Sequence, residues 1–192
     1  MRLRTARIAP LTDAELDDEA KAACEPMTRD GRPLLNIFRT LARAPRALSA
    51  FQTWGAYILS RRSDLAARER EIVILRTGFL CRSGYEWTQH VRIGKGVGLT
   101  DEEIEGIKAG ASALIWSEPD RALIRAADDL HTDFFVSDAA WAELSRYFSQ
   151  KQCMDLVMTV GQYTQVSMML NSFGVQLDAG QTLDPDLEAY AR

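Results

Sequence analysis

Two glutamates and a histidine carry the spacing that points to chemistry. Glu86 and His90 lie four residues apart, one turn on the same helical face, and Glu71 lies in the charge-poor stretch that precedes them. A carboxylate beside an imidazole favours the charged ring, and a carboxyl buried among apolar neighbours has its pKa raised toward neutrality. Such a set suits general acid/base work, in which a proton is held and delivered near pH 7. The structural alternative is a buried ion pair that fastens two helices. Glu86 has a further local reading. Ser83-Gly84-Tyr85-Glu86 fits a capping box, with Ser83 as N-cap and Glu86 reaching back from N3.

Around these three stand residues able to bind a substrate. Arg76, in an otherwise apolar run, needs a partner; either a salt bridge or a bidentate grip on a substrate carboxylate would serve. Tyr85 and Trp87 are core or pocket wall, and Trp54 and Tyr57 offer an aromatic lining for a planar ligand. Cys81 is close by, while His131 follows Asp128 and Asp129 on a surface helix. Glu71, Glu86 and His90 also bring a facial metal triad to mind, but the usual version carries two histidines, so no metal and no cofactor is expected.

The elements that must position these groups are helices. Capping boxes at Thr12–Glu15, Thr100–Glu103 and Ser149–Gln152 open three of them, and Ser63 and Ser137 are placed to cap two more. Pro33 and Pro45 sit at helix first turns. The segment after Ser63 is apolar on several faces and should be a central, buried helix. About nine helices and no convincing strand give an all-α helical bundle. The predicted organisation is an N-terminal helix and loop over 1–32, one domain over 33–178 and a loose tail over 179–192. The domain divides into halves at 33–116 and 117–178, since Arg46-Ala47-Leu48 recurs as Arg121-Ala122-Leu123 and Tyr85 as Tyr163. That repeat puts Thr164 and Met168 where the first half has Glu86 and His90.

Composition narrows the partners. With 192 residues, 46% hydrophobic, and a net charge of −4, the chain has the balance of a globular domain. It has no basic block for nucleic acid and no apolar run that would span a membrane, which gives a cytoplasmic expectation. Cys24, Cys81 and Cys153 are too scattered for a disulfide or metal framework.

Taken together, the buried Glu71, the break, and His90 nineteen residues after that glutamate resemble the carboxymuconolactone decarboxylase and AhpD-like family. The run Arg68-Glu69-Arg70-Glu71-Ile72 with Ile74-Leu75-Arg76 resembles that family's central helix. Its next helix is matched by Tyr85-Glu86-Trp87 and His90, followed by Gly94 and Gly98-Leu99. Asp128-Asp129-Leu130-His131 and the segment from Tyr163 to Gly174 extend the likeness over about 35–178. The resemblance implies an AhpD-like helical fold and homo-oligomers, as dimer, trimer or hexamer. It also implies one of two activities: a thiol-dependent peroxidase built on CxxC, or a lactone decarboxylase using acid and base residues in the same pocket. Here the two cysteine positions fall on Ser83 and Glu86. Neither can join a disulfide, which removes the family's thiol cycle. The expectation is a cofactor-independent, decarboxylase-like lyase acting on a small carboxylated or lactone substrate through His90, Glu71 and Glu86. Arg76, Tyr85, Trp87, Trp54, Tyr57 and Cys81 would bind the substrate. An antioxidant protein working through Cys81 and a non-catalytic oligomeric module are the alternatives.

Overall fold

A computed structural model describes residues 2–190 of the chain; Met1 and the last two positions of the tail lie outside it. Among the described residues there are ten α-helices and no strand. They are α1 (Asp18–Thr28), α2 (Asn36–Leu41), α3 (Pro45–Ile58), α4 (Ala67–Leu80), α5 (Gly84–Gly96), α6 (Asp101–Ala109), α7 (Glu118–Asp133), α8 (Asp138–Leu144), α9 (Gln150–Phe173) and α10 (Pro185–Glu188). A short 3-10 turn, Gly110–Ser112, follows α6.

The helix α4 is the axis of the molecule. It packs against α5, α7 and α9, and every residue from Glu71 to Gly78 is buried. Ile72 and Leu75 join the core shared with Trp87 of α5 and Ile107 of α6, whereas Val73 faces Leu123 of α7 and Leu156 of α9. Ile74 meets Tyr163 of α9 and Ile58 of α3. Each such side chain contributes roughly 1.5–3 kcal/mol when fully buried. The second half of α4 is apolar on several faces, and this is the part that lies at the centre.

Several helix starts follow the local code. Thr100 accepts from the Glu103 amide while Glu103 accepts from the Thr100 amide, and Ser149 and Gln152 repeat the arrangement. Ser137 caps α8, and Ser117 caps α7. Others depart from it. Glu15 does accept from Thr12, but the pair closes a turn, and α1 opens later, at Asp17, which caps the Ala20 amide. Ser63 caps nothing: its buried hydroxyl has no partner, and α4 starts after Ala66, whose amide is taken by Glu69.

The C-terminal tail is fastened rather than loose. Asp178 accepts from the Asn36 amide, the Tyr85 hydroxyl and the Gln89 amide group. Asp184 accepts from the Trp87 indole and pairs with Lys108, and Leu187 of α10 is buried in the core beside Ile107. These contacts hold α5 from two sides. No helix among the described residues is long and apolar enough to cross a membrane.

Candidate functional site

The break between α4 and α5 is a Schellman-type stop. The Ser83 amide reaches the Gly78 carbonyl and the Arg82 amide reaches the Phe79 carbonyl, both closing the end of α4. Arg82 takes the left-handed position at φ 53°, where glycine is the usual residue. The chain therefore reverses within three residues, and α5 lies back against α4. This reversal is what brings residues nineteen apart into contact.

His90 sits between two carboxylates. Its Nδ1 is 2.7 Å from Glu71 Oε2 on α4, and its Nε2 is 2.9 Å from Glu86 Oε1 one turn earlier on α5. All three side chains are buried. Burial alone would lower the pKa of the imidazole, but the carboxylates of Glu86 and Glu71 outweigh it and raise the pKa to about 10. At neutral pH the centre is an imidazolium held by two acids. Tyr163 of α9 meets the ring edge-on at 5.0 Å between centroids. The other oxygen of Glu71, Oε1, is buried without a hydrogen-bond partner. An orphaned carboxylate oxygen in a core is costly.

This geometry corrects the capping reading of Glu86. Ser83 does occupy the N-cap position, but its hydroxyl makes no cap bond and is itself buried without a partner. The Glu86 side chain turns along the helix to His90 instead. An ionic hydrogen bond to a charged ring outcompetes a bond to the backbone amide at the helix start.

The predicted binding residues do not gather around this centre. Arg76 is committed to the fold: its Nε is 2.5 Å from Asp128 Oδ1, and Nη1 donates to the carbonyls of Ile107 and Lys108. It clamps α4 to α6 and α7. Tyr85 and Trp87 point away, into the contacts with Asp178 and Asp184. Tyr57 donates to Asp155 at 2.6 Å and stacks on Trp54 at 5.4 Å. Trp54 lines a groove of about 530 Å³ with Phe51, Gln162 and Met169. Cys81 belongs to a separate cavity, where its neighbour is His131. Thr164 and Met168 line that same cavity, away from His90. Sequence reasoning missed Tyr163 as a wall of the His90 site, although the repeat had singled it out. Among the described residues no group of three or more His, Cys, Asp or Glu side chains could hold a metal ion.

Comparison with known proteins agrees with this architecture. Residues 45–129, which carry Glu71, Glu86 and His90, match the model of the carboxymuconolactone decarboxylase family. No curated protein matches the chain. Among solved structures, an alkylhydroperoxidase AhpD core protein, peroxidase-related, from Ralstonia eutropha JMP134 superposes with a TM-score of 0.79 at 18% identity. The superposition covers 91% of this chain and 93% of that one. The debrominase Bmp8 bound to 2,3,4-tribromopyrrole gives 0.76 at 13% identity, over 92% and 94% of the two chains. A putative antioxidant defence protein AhpD from Agrobacterium tumefaciens gives 0.68 at 19% identity, over 72% and 95%. At these identities the likeness is one of fold: the chain has the AhpD-like helical architecture.

Proposed function

We propose that this chain is a cofactor-independent enzyme of the decarboxylase-like kind, in which the Glu71–His90–Glu86 centre moves a proton on a small carboxylated or lactone substrate. The observation that carries the reading is the imidazole held between two buried carboxylates, with Glu71 Oε1 left without a partner. Loss of carbon dioxide leaves a carbanion or dienolate that must be protonated, and a held imidazolium is a proton donor in a site shielded from bulk water. Glu71 and Glu86 stabilise the charged ring before the reaction and can take the proton back afterwards. Ser83 and Glu86, at the two positions where the resemblance places a redox pair, leave the thiol cycle without its sulfurs.

A second reading is favoured by the closure of the centre. Neither the groove at Trp54 nor the cavity at Cys81 is lined by Glu71, Glu86 or His90. Here the triad is a buried charge cluster that orients α5 on α4 in a non-catalytic oligomeric module. A thermal-shift screen of lactones and small carboxylates, followed by turnover assays on the hits, separates the two. The enzymatic reading expects a ligand that is turned over by the wild type and bound but not turned over by Glu71→Gln. Absence of turnover for every stabilising ligand, with Glu71→Gln altering only the melting temperature, would favour the structural module.

A further inference from the structure

The cavity at Cys81 has its own chemistry. About 480 Å³ in volume, it opens between the end of α4, the last turn of α7 and the outer face of α9, with the N-terminal segment along one side. At its wall the Cys81 sulfur is 3.8 Å from Nδ1 of His131. Next to them Ser167, only 1% exposed, has a buried hydroxyl with no hydrogen-bond partner, and it lines the same space. Arg2 and Arg7 supply its cations, and no carboxylate is among the described residues that line it. Leu3, Leu130 and Phe134 give it apolar surface. Phe134 is held in the left-handed conformation at φ 58° and stands 83% exposed. Such a conformation costs about 1–2 kcal/mol for a residue with a Cβ.

These features are those of a receptor, not of packing. A thiol with a base beside it and the hydroxyls of Ser167 and Thr164 close to the sulfur, two cations and an apolar wall fit a small organic anion. Burial pushes the Cys81 thiol up and pulls the His131 ring down, so at neutral pH the pair is a thiol beside a free imidazole. Both shifts work against a resting thiolate, so reaction at Cys81 needs His131 to take the proton as the sulfur attacks, across the 3.8 Å between them.

We infer that this cavity is a second ligand site, which binds a small carboxylate with an apolar body and presents Cys81 to it as a nucleophile with His131 as base. With a carboxylated electrophile that bears a leaving group, the step balances simply. The S–C bond forms, the bond to the leaving group breaks, the leaving group departs with the electron pair, and the thiol proton passes to His131 Nδ1 and then to water. The site is separate from the Glu71–His90–Glu86 centre and does not depend on its role.

Iodoacetate and iodoacetamide test this on the full chain, with mass spectrometry assigning the alkylated cysteine among Cys24, Cys81 and Cys153. An ordinary thiol near carboxylates reacts more slowly with the anionic reagent. Here Cys81 should react at least several-fold faster with iodoacetate than with iodoacetamide. The double variant Arg2→Ala, Arg7→Ala should remove that preference, lowering the iodoacetate rate several-fold more than the iodoacetamide rate. His131→Gln should slow both reagents about tenfold or more. In the wild type, benzoate should protect Cys81 from iodoacetamide, and this protection should vanish in the double arginine variant, a measurement independent of how His131→Gln folds. Equal or slower reaction with iodoacetate in the wild type, or a preference untouched by loss of both arginines, would overturn the anion site. Unchanged rates in folded His131→Gln would overturn its assignment as base.

Discussion

Glu71 and His90 are nineteen residues apart along the chain and 2.7 Å apart in space, joined across the reversal at Arg82. Every property of the centre follows from that approach. The ring is taken from water, which disfavours its charge, and is given two carboxylates, which more than restore it.

The first prediction concerns this pair and pH. Because the folded-state pKa of His90 is raised above its ordinary value to about 10, its contribution to stability is complete below about pH 6.5 and is lost progressively as pH rises toward 10. Wild-type stability, measured by urea unfolding at a series of pH values, should therefore decline over that interval. His90→Gln should lose roughly 3–5 kcal/mol at pH 6, because two buried carboxylates are left without their cation. Its profile between pH 6.5 and 10 should be flatter. A wild-type curve that stays level up to pH 10 would contradict the charged-ring assignment.

A second prediction concerns the tail. Asp178 gathers three donors, from Asn36, Tyr85 and Gln89, and burial together with Asp178 raises the Tyr85 hydroxyl pKa. Asp178→Ala should cost about 1–3 kcal/mol, since buried donors lose their acceptor. It should also release the segment 177–190, seen as faster amide hydrogen exchange and new proteolytic cuts there. Protection unchanged in that segment would show that Leu187 and Asp184 suffice to hold it.

A third prediction tests the role of Arg76. Arg76→Lys keeps the charge but loses the planar fork that reaches Asp128 and the two carbonyls together, and should cost about 3 kcal/mol. Gly110 stands against the same guanidinium at φ 81°, and a Cβ there would lie 2.6 Å from Nη2. Gly110→Ala should therefore destabilise by about 1–2 kcal/mol or more from the backbone alone. Both variants are read by thermal unfolding. If Arg76→Lys left the melting temperature unchanged, the clamp would not be the reason for a buried arginine at this position.

The helices, their all-α class and the buried character of α4 were legible because they rest on local signals: apolar periodicity, prolines at first turns and the boxes at Thr100 and Ser149. The pairing of Glu71 with His90 was legible too, through a resemblance in spacing. What was not legible depended on partners far along the chain. Arg76 finds Asp128, 52 residues on, and Trp87 finds Asp184, 97 residues on, so neither could be told from a substrate-binding residue by its neighbours. Glu86 stood evenly between a cap on Ser83 and an acid/base partner of His90; both are local rules on one helix, and the ion pair with His90 won. The polar composition of the tail hid two aspartates that are anchors. His131, read as a surface residue, is half-buried against Cys81.

The hold that the tail keeps on α5 sets a boundary for anyone who would cut or splice this protein. Residues 45–129 contain Glu71, Glu86 and His90, yet Tyr163, Asp178 and Asp184, which flank the ring or fix its helix, all lie downstream. A fragment that ends with the recognisable segment would keep the three acid/base side chains and lose the wall and both moorings. The smallest portable unit of this centre therefore runs at least through Leu187, and a graft of the triad onto another helical scaffold must bring equivalents of those three residues with it.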